Sequence, residues 1–209
     1  MDLLDIYKTI NTPKELYEFM DKYIKYGFYG NDGKIYTNDG TEESDKIFQD
    51  ACLDRYGLAN KEKVLKYGLG QCFDQTELER AWFKEHNYEF RTIFIWFLFD
   101  YENTYPTHAY LVYKDKTTNK YYWFEHADSI NKGIHEFNSY KEAIYNQMLE
   151  HISYTKNNGN KIDDEVLKHI HIYEYETNKY EISFYEFIDN IFESKEITDE
   201  ILSYGDIDV

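Results

Sequence analysis

One of the chain's two cysteines, Cys72, sits in Gly70-Gln71-Cys72-Phe73-Asp74-Gln75-Thr76-Glu77-Leu78, just after a glycine and just before a helical pattern. A thiol at a helix N-terminus faces unpaired backbone N–H groups and the positive end of the macrodipole. Such a setting makes sulfur nucleophilic, and the same N–H groups stabilise the oxyanion formed when it attacks a carbonyl. A cysteine near a helix start is also, more often, an inert small hydrophobe. Nucleophilic catalysis needs a base, normally histidine, and a third group to orient it.

Among the seven histidines, His108 stands out because Thr107 to Tyr113 reads as a strand that would hold it rigidly. The segment Tyr121 to His126 reads as the next strand, across a turn around Asp115-Lys116-Thr117-Thr118-Asn119. With a loop of Asp115 to Thr118, Lys114 pairs with Asn119, and His108 falls directly opposite Glu125, Cβ atoms about 4.5–5.5 Å apart. That is a base beside a carboxylate that orients it, the logic of a nucleophile–histidine–acid triad. A loop of Thr117-Thr118-Asn119, with Asn119 left-handed, instead sets His108 opposite Asp128. A surface His–Glu pair without chemistry fits the first spacing equally well.

The elements that must carry these residues are legible in outline. Thr12-Pro13-Lys14-Glu15 is a helix start with a capping box, and Leu16, Phe19, Met20, Tyr23 and Ile24 recur at helical spacing behind it. Asn31-Asp32-Gly33 and Asn38-Asp39-Gly40 mark turns. Helices follow over Glu42 to Tyr56, ending at Gly57, and Lys61 to Tyr67, ending at Gly68. The cysteine helix runs from Cys72 to about His86, with Leu78, Ala81 and Trp82 on one side and Glu77, Glu79 and Lys84 facing solvent. Tyr88 to Phe99 reads as a strand. After the two strands comes a helix from Tyr140 to His151, and then a polar loop from Lys156 to Asn160. A strand over Ile170 to Tyr175 and a helix near Phe184 to Phe192 complete the order. Helices, a cysteine-bearing helix, an antiparallel meander and an extension make an α+β protein.

Other features have plainer readings. Cys52 is mid-helix among apolar residues and packs in the core. His169 and His171 share one face of a strand, a spacing metals use, but no third ligand accompanies them, so no metal is assigned. Gly133 to Phe137 reads as a turn plus polar surface, Trp82 and Trp123 as core, and Glu193 to Val209 as a solvated acidic end.

The 209 residues carry 40 Asp and Glu against 23 Lys and Arg, a net charge of -17. Nucleic acid and anionic membrane surfaces repel such a chain, so neither is expected as a partner. The N-terminus has no basic segment followed by an apolar run, and Ile93 to Phe99 is too short to span a bilayer. A cytoplasmic protein with reduced thiols is the expectation.

Cys72 within Gly-x-Cys-x-Asp, His108-Ala109-Tyr110, and Tyr121-Tyr122-Trp123-Phe124-Glu125 occur in that order, and together they resemble the transglutaminase-like superfamily of papain-like cysteine enzymes. The resemblance extends upstream to the helix after Thr12 and its Ile24-Lys25-Tyr26 tail, covering roughly residues 12–130. It implies a papain-like core in which N-terminal helices and the nucleophile helix pack on an antiparallel β-sheet. Residues 1–155 would form that core and 156–209 an α/β extension packed on it, within a single domain.

The same resemblance makes Cys72 the nucleophile, His108 the general base and Glu125 the orienting acid of an enzyme that cleaves or transfers an amide or peptide bond. Hydrolysis is favoured over transglutamination, because water needs no second binding site. A protein or peptide is the implied substrate, and no cofactor is called for. The sequence departs from the family where the acid is usually Asp in Asp-Pro-Thr; here it is Glu125, followed by His126-Ala127. Gln71 and Tyr67 are candidates for the second oxyanion donor. The competing class is a catalytically inactive binding module on the same fold.

Overall fold

The computed structural model describes residues 2–97, 107–157, 168–177 and 179–205. They divide into two compact units, one of Met1–Asn87, His126–Gly133 and Thr177–Asn190, the other of Tyr88–Glu125, Ile134–Glu176 and Ile191–Val209. The residues after 156 are therefore shared between both units.

The first unit is mainly helical. Helix α1 is Leu3–Tyr7 and α2 is Pro13–Tyr23. Thr12 Oγ1 accepts the Glu15 N–H at 3.2 Å while Glu15 Oε2 accepts the Thr12 N–H at 3.1 Å, closing the expected capping box. Leu16, Phe19 and Met20 are the buried residues of α2. Strand β1 (Lys25–Tyr26) runs parallel to β4 (Leu69–Gly70), and β2 (Phe28–Tyr29) pairs with β3 (Ile35–Tyr36) across the turn at Asn31 to Gly33. Helix α4 (Lys61–Tyr67) ends as expected on Gly68, which is left-handed at φ 65°.

Helix α3 is Glu42–Arg55 and stops before Gly57, because Tyr56 leaves the helix in an extended conformation. The Tyr56 ring is buried and its hydroxyl donates to Asp74 Oδ1 at 2.7 Å. A tertiary anchor, not a glycine cap, terminates this helix.

Helix α5 (Cys72–Glu85) departs most from its expected surroundings. Glu77 and Glu79 do not face solvent; they are 1% and 2% exposed. The Glu77 carboxylate accepts from Thr177 Oγ1 at 2.7 Å and Tyr180 Oη at 3.0 Å, with Arg80 at 3.4 Å. Thr177 and Tyr180, about a hundred residues away in the chain, supply the partners that a buried carboxylate needs. Helical periodicity predicts which face meets a core, but not whether a distant segment covers the opposite one.

The second unit is built on a six-stranded antiparallel sheet in the order β10-β9-β5-β6-β7-β8. Its strands are β5 (Glu89–Phe97), β6 (His108–Lys114), β7 (Tyr121–Glu125), β8 (Gly133–Phe137), β9 (Ile170–Glu174) and β10 (Lys195–Glu196). Alternation along the strands puts Ile93, Ile95 and Phe97 of β5 on one face with Tyr110 and Val112, Trp123, and Ile170 and Ile172. Helix α6 (Tyr140–Asn157) covers them with Ala143, Ile144 and Met148. Helix α7 (Phe184–Phe192) belongs to the first unit through Asn190, whereas α8 (Thr198–Gly205) adds Ile201 to the sheet's apolar cluster. The protein is thus α+β.

Two segments read as surface are structural. Residues 133–137 form the edge strand β8 rather than a turn. The acidic end is not solvated throughout: β10 pairs with β9, Ile197 and Ile201 are buried, and Thr198 Oγ1 accepts the Ile172 N–H at 2.9 Å. Net charge hid the isoleucines spaced to dock a short helix. Leu98 and Phe99 of the apolar run, residues 158–160 of the polar loop and residues 206–209 of the tail lie outside the described residues. No described helix is long and apolar enough to cross a membrane.

Candidate functional site

Cys72 is the first residue of α5 and is 4% exposed. The turn before it is held from several sides. Asp74 Oδ2 accepts the Gln71 N–H at 2.9 Å, while Asp74 Oδ1 accepts the Tyr56 hydroxyl and the Ala59 N–H at 2.8 Å. Burial lifts the Asp74 carboxyl to about 6, against the three hydrogen bonds that hold it down. Gln75 Nε2 donates to Gly70 O at 2.8 Å, and Thr76 Oγ1 donates to Cys72 O at 2.8 Å. Gly70 is closely approached: a Cβ there would lie 3.1 Å from both Asp74 Cβ and Gln75 Cγ, tighter than ordinary contact. The Cys72 N–H, first of its helix, has no acceptor within the helix.

His108 and Glu125 meet in the second unit, where His108 Nε2 lies 2.7 Å from Glu125 Oε2. The register that joins them is not the expected one. Lys114 pairs with Tyr121 and Leu111 with Phe124, because the Asp115 N–H bonds Lys120 O at 2.8 Å and four residues, Lys116 to Asn119, make the loop. Asn119 is left-handed at φ 58°. The Asp115 carboxylate accepts from the Thr117 and Thr118 side chains and N–H groups, which holds it down at about 2. Continuing that register, Glu125 stands opposite Tyr110, and His108 is its diagonal neighbour on the same face.

Diagonal partners lie about 7–8 Å apart, a gap that long side chains close. Glu125 and His108 together are long enough. Trp123 Nε1 also donates to Glu125 Oε2, at 3.2 Å. The imidazole stacks with Tyr110 and with His151 of α6, its centroid 5.8 and 6.3 Å from theirs. A carboxylate bonded to one ring nitrogen fixes the tautomer and stabilises the imidazolium.

The structure therefore brings together two of the three sequence-predicted residues, His108 and Glu125, in one unit; Cys72 belongs to the other. Both candidates for a second oxyanion donor have other partners in the structure. The Gln71 amide donates to Cys52 Sγ at 3.4 Å, and the Tyr67 ring stacks on Tyr29 at 3.9 Å. Cys52 is buried, as its helix position implies, and burial pushes its thiol up to about 11. His171 bonds Glu196 Oε1 at 2.8 Å, and among the described residues no group of three or more His, Cys, Asp or Glu could hold a metal ion.

Sequence reasoning passed over His126 and Gln75, whose side chains bond at 2.6 Å. The available signal was position: Gln75 is one helical turn after Gln71, and His126 directly follows the candidate acid. No protein-family model matches the chain, and neither does any curated protein sequence.

Proposed function

We propose that the chain is a thiol enzyme with a papain-like, transglutaminase-like core that cleaves an amide or peptide bond through a thioester. The observation that carries this is the buried 2.7 Å contact between His108 and Glu125. It is a base already oriented by an acid, in a chain whose Cys72 begins a helix.

Glu125 holds Nε2, so Nδ1 is the nitrogen assigned to the thiol. His108 takes the Cys72 proton, and the sulfur attacks the substrate carbonyl to form a C–S bond. The Cys72 N–H donates to the resulting oxyanion. As the C–N bond breaks, the imidazolium returns its proton to the leaving amine. Water, deprotonated by His108, then attacks the thioester; the acid leaves and the thiol is regenerated. An amine in place of water would make the same steps a transfer. Protons and one acyl group account for every step without a cofactor. A protein or peptide substrate suits this chemistry, and the net charge of -17 disfavours nucleic acid and anionic membranes as partners.

One observation favours a second reading, an inactive binding module. The His108 and Glu125 side chains are 10% and 1% exposed, and the ring is stacked with Tyr110 and with His151, as a purely structural pair would be.

Alkylation separates the two. With iodoacetamide at pH 7, Cys72 modification read by mass spectrometry should fall about tenfold or more in His108→Ala if the histidine activates the thiol. Equal rates in the variant and the wild type overturn the enzyme.

A further inference from the structure

The side chain that follows the candidate acid takes no part in the chemistry above, yet it is buried. His126 is 3% exposed. Its Nδ1 lies 2.6 Å from Gln75 Oε1, and the Gln75 amide nitrogen is committed to Gly70 O. The Gln75 oxygen therefore faces the imidazole, and the ring proton sits on Nδ1. Nε2 is left as a lone-pair acceptor. It is buried and makes no hydrogen bond among the described residues. Asp21 Oδ1, 3.9 Å away, has no proton to offer it and is engaged by Lys132 at 3.0 Å. The Tyr17 ring meets the imidazole edge-on at 5.9 Å. Burial, aided by Lys132, holds the imidazole neutral down to about 4.

A buried acceptor without a donor is costly. What the histidine gains in return is one short bond to Gln75, and Gln75 grips the Cys72 turn twice. Its side chain holds Gly70 O at 2.8 Å, and its backbone N–H holds Gln71 O at 2.9 Å. The second of these peptides carries the Cys72 N–H. Rotation of the Gln75 amide would take away one of the two donors to Gly70 O, leaving the Gly27 N–H at 3.3 Å, and would loosen the Gly70–Gln71 peptide that leads into Cys72.

We propose that His126 is a positioning residue: through Gln75 it fixes the Gly70–Gln71–Cys72 turn, and with it the sulfur and the N–H that would face the oxyanion. This rests on Cys72 being the nucleophile. His126 acts only through Gln75 and touches no reacting atom.

The test is iodoacetamide modification of the full chain at pH 7, read separately at Cys72 and Cys52, with folding checked by circular dichroism. A loosened turn costs up to about a hundredfold in reactivity. His126→Phe should slow Cys72 by about tenfold, and Gln75→Met, which cuts the relay at its other end, should do the same. His126→Asn, whose Nδ2 keeps a donor where Nδ1 was, should recover to within about threefold of wild type. Cys52 should stay unmodified in all of them. Unchanged Cys72 rates in His126→Phe and Gln75→Met, alongside a fall in His108→Ala, overturn the positioning role alone. Faster modification of both cysteines would mean general loosening and would overturn it too. An unchanged rate in His108→Ala instead overturns the enzyme on which it rests.

Discussion

Glu125 reaches His108 along the diagonal of the β6–β7 ladder, two residues from the directly paired position, and the contact closes at 2.7 Å. Side-chain length makes this possible. A directly opposed pair would tolerate aspartate, whereas a diagonal one needs the extra carbon.

Shortening the acid should therefore be more harmful than neutralising it. Glu125→Asp leaves His108 and the Trp123 N–H without their acceptor and should lower stability by about 2–3 kcal/mol in urea unfolding. Glu125→Gln keeps an acceptor of the same length and should cost about 1 kcal/mol. The reverse order would show that charge, not reach, governs the pair.

Asp74→Ala should be among the most destabilising single changes in the first unit. It removes the acceptor of the Tyr56 hydroxyl and of the Ala59 and Gln71 N–H groups, all within the buried turn. The expected loss is about 3–5 kcal/mol, measured from urea midpoints at constant slope.

Gly70→Ala tests the close approach ahead of the cysteine. The added Cβ meets Asp74 Cβ and Gln75 Cγ at 3.1 Å, so these neighbours must give by a few tenths of an ångström. A loss of about 1–3 kcal/mol is expected, and a neutral substitution would mean the turn is free to move.

His126 should leave a signature in the pH dependence of stability. Its folded pKa is lowered from 6.5 to about 4, so between those values the unfolded chain binds the extra proton. Stability from this group is full above about 6.5 and is lost as pH falls toward 4. Asp74 acts in the opposite sense: lifted to about 6, it binds its proton more tightly in the folded chain, and its contribution falls as pH rises from about 4 to 6. The two offset in the wild type. The stability difference between wild type and His126→Phe should isolate the histidine, rising by up to about 3 kcal/mol from pH 4 to 6.5 and then levelling. A difference that does not change with pH would show that His126 is not held neutral.

Cys52 should be inert in the native protein. With its thiol pushed up to about 11 and its side chain buried, iodoacetamide at pH 8 should leave it intact, and modification should appear only in urea. Native-state modification would mean that the packing around Cys52 opens readily.

Much of the scaffold was legible because its signals are local. The Thr12 capping box, the Gly68 stop and the helix start at Cys72 each depend on a few adjacent residues and on backbone geometry that no distant contact alters. The α+β order followed from the same periodicities. Cross-strand facts were less accessible. A hairpin register depends on which residue the loop leaves unpaired, and here Asn119 belongs to the loop while Asp115 bonds Lys120 across the ladder, so the candidate base and acid meet diagonally.

Helices, strands and the residue types that could form a catalytic pair follow from the chain's own order, since propensity, capping and alternation act over a few residues. Folding in three dimensions is what buries Glu77 and Glu79, gives the acidic end a strand and a docked helix, and brings His126 to the cysteine turn through Gln75. Each of these depends on segments far apart in the chain, where burial and hydrogen bonding follow from what folds back over a residue and not from its neighbours.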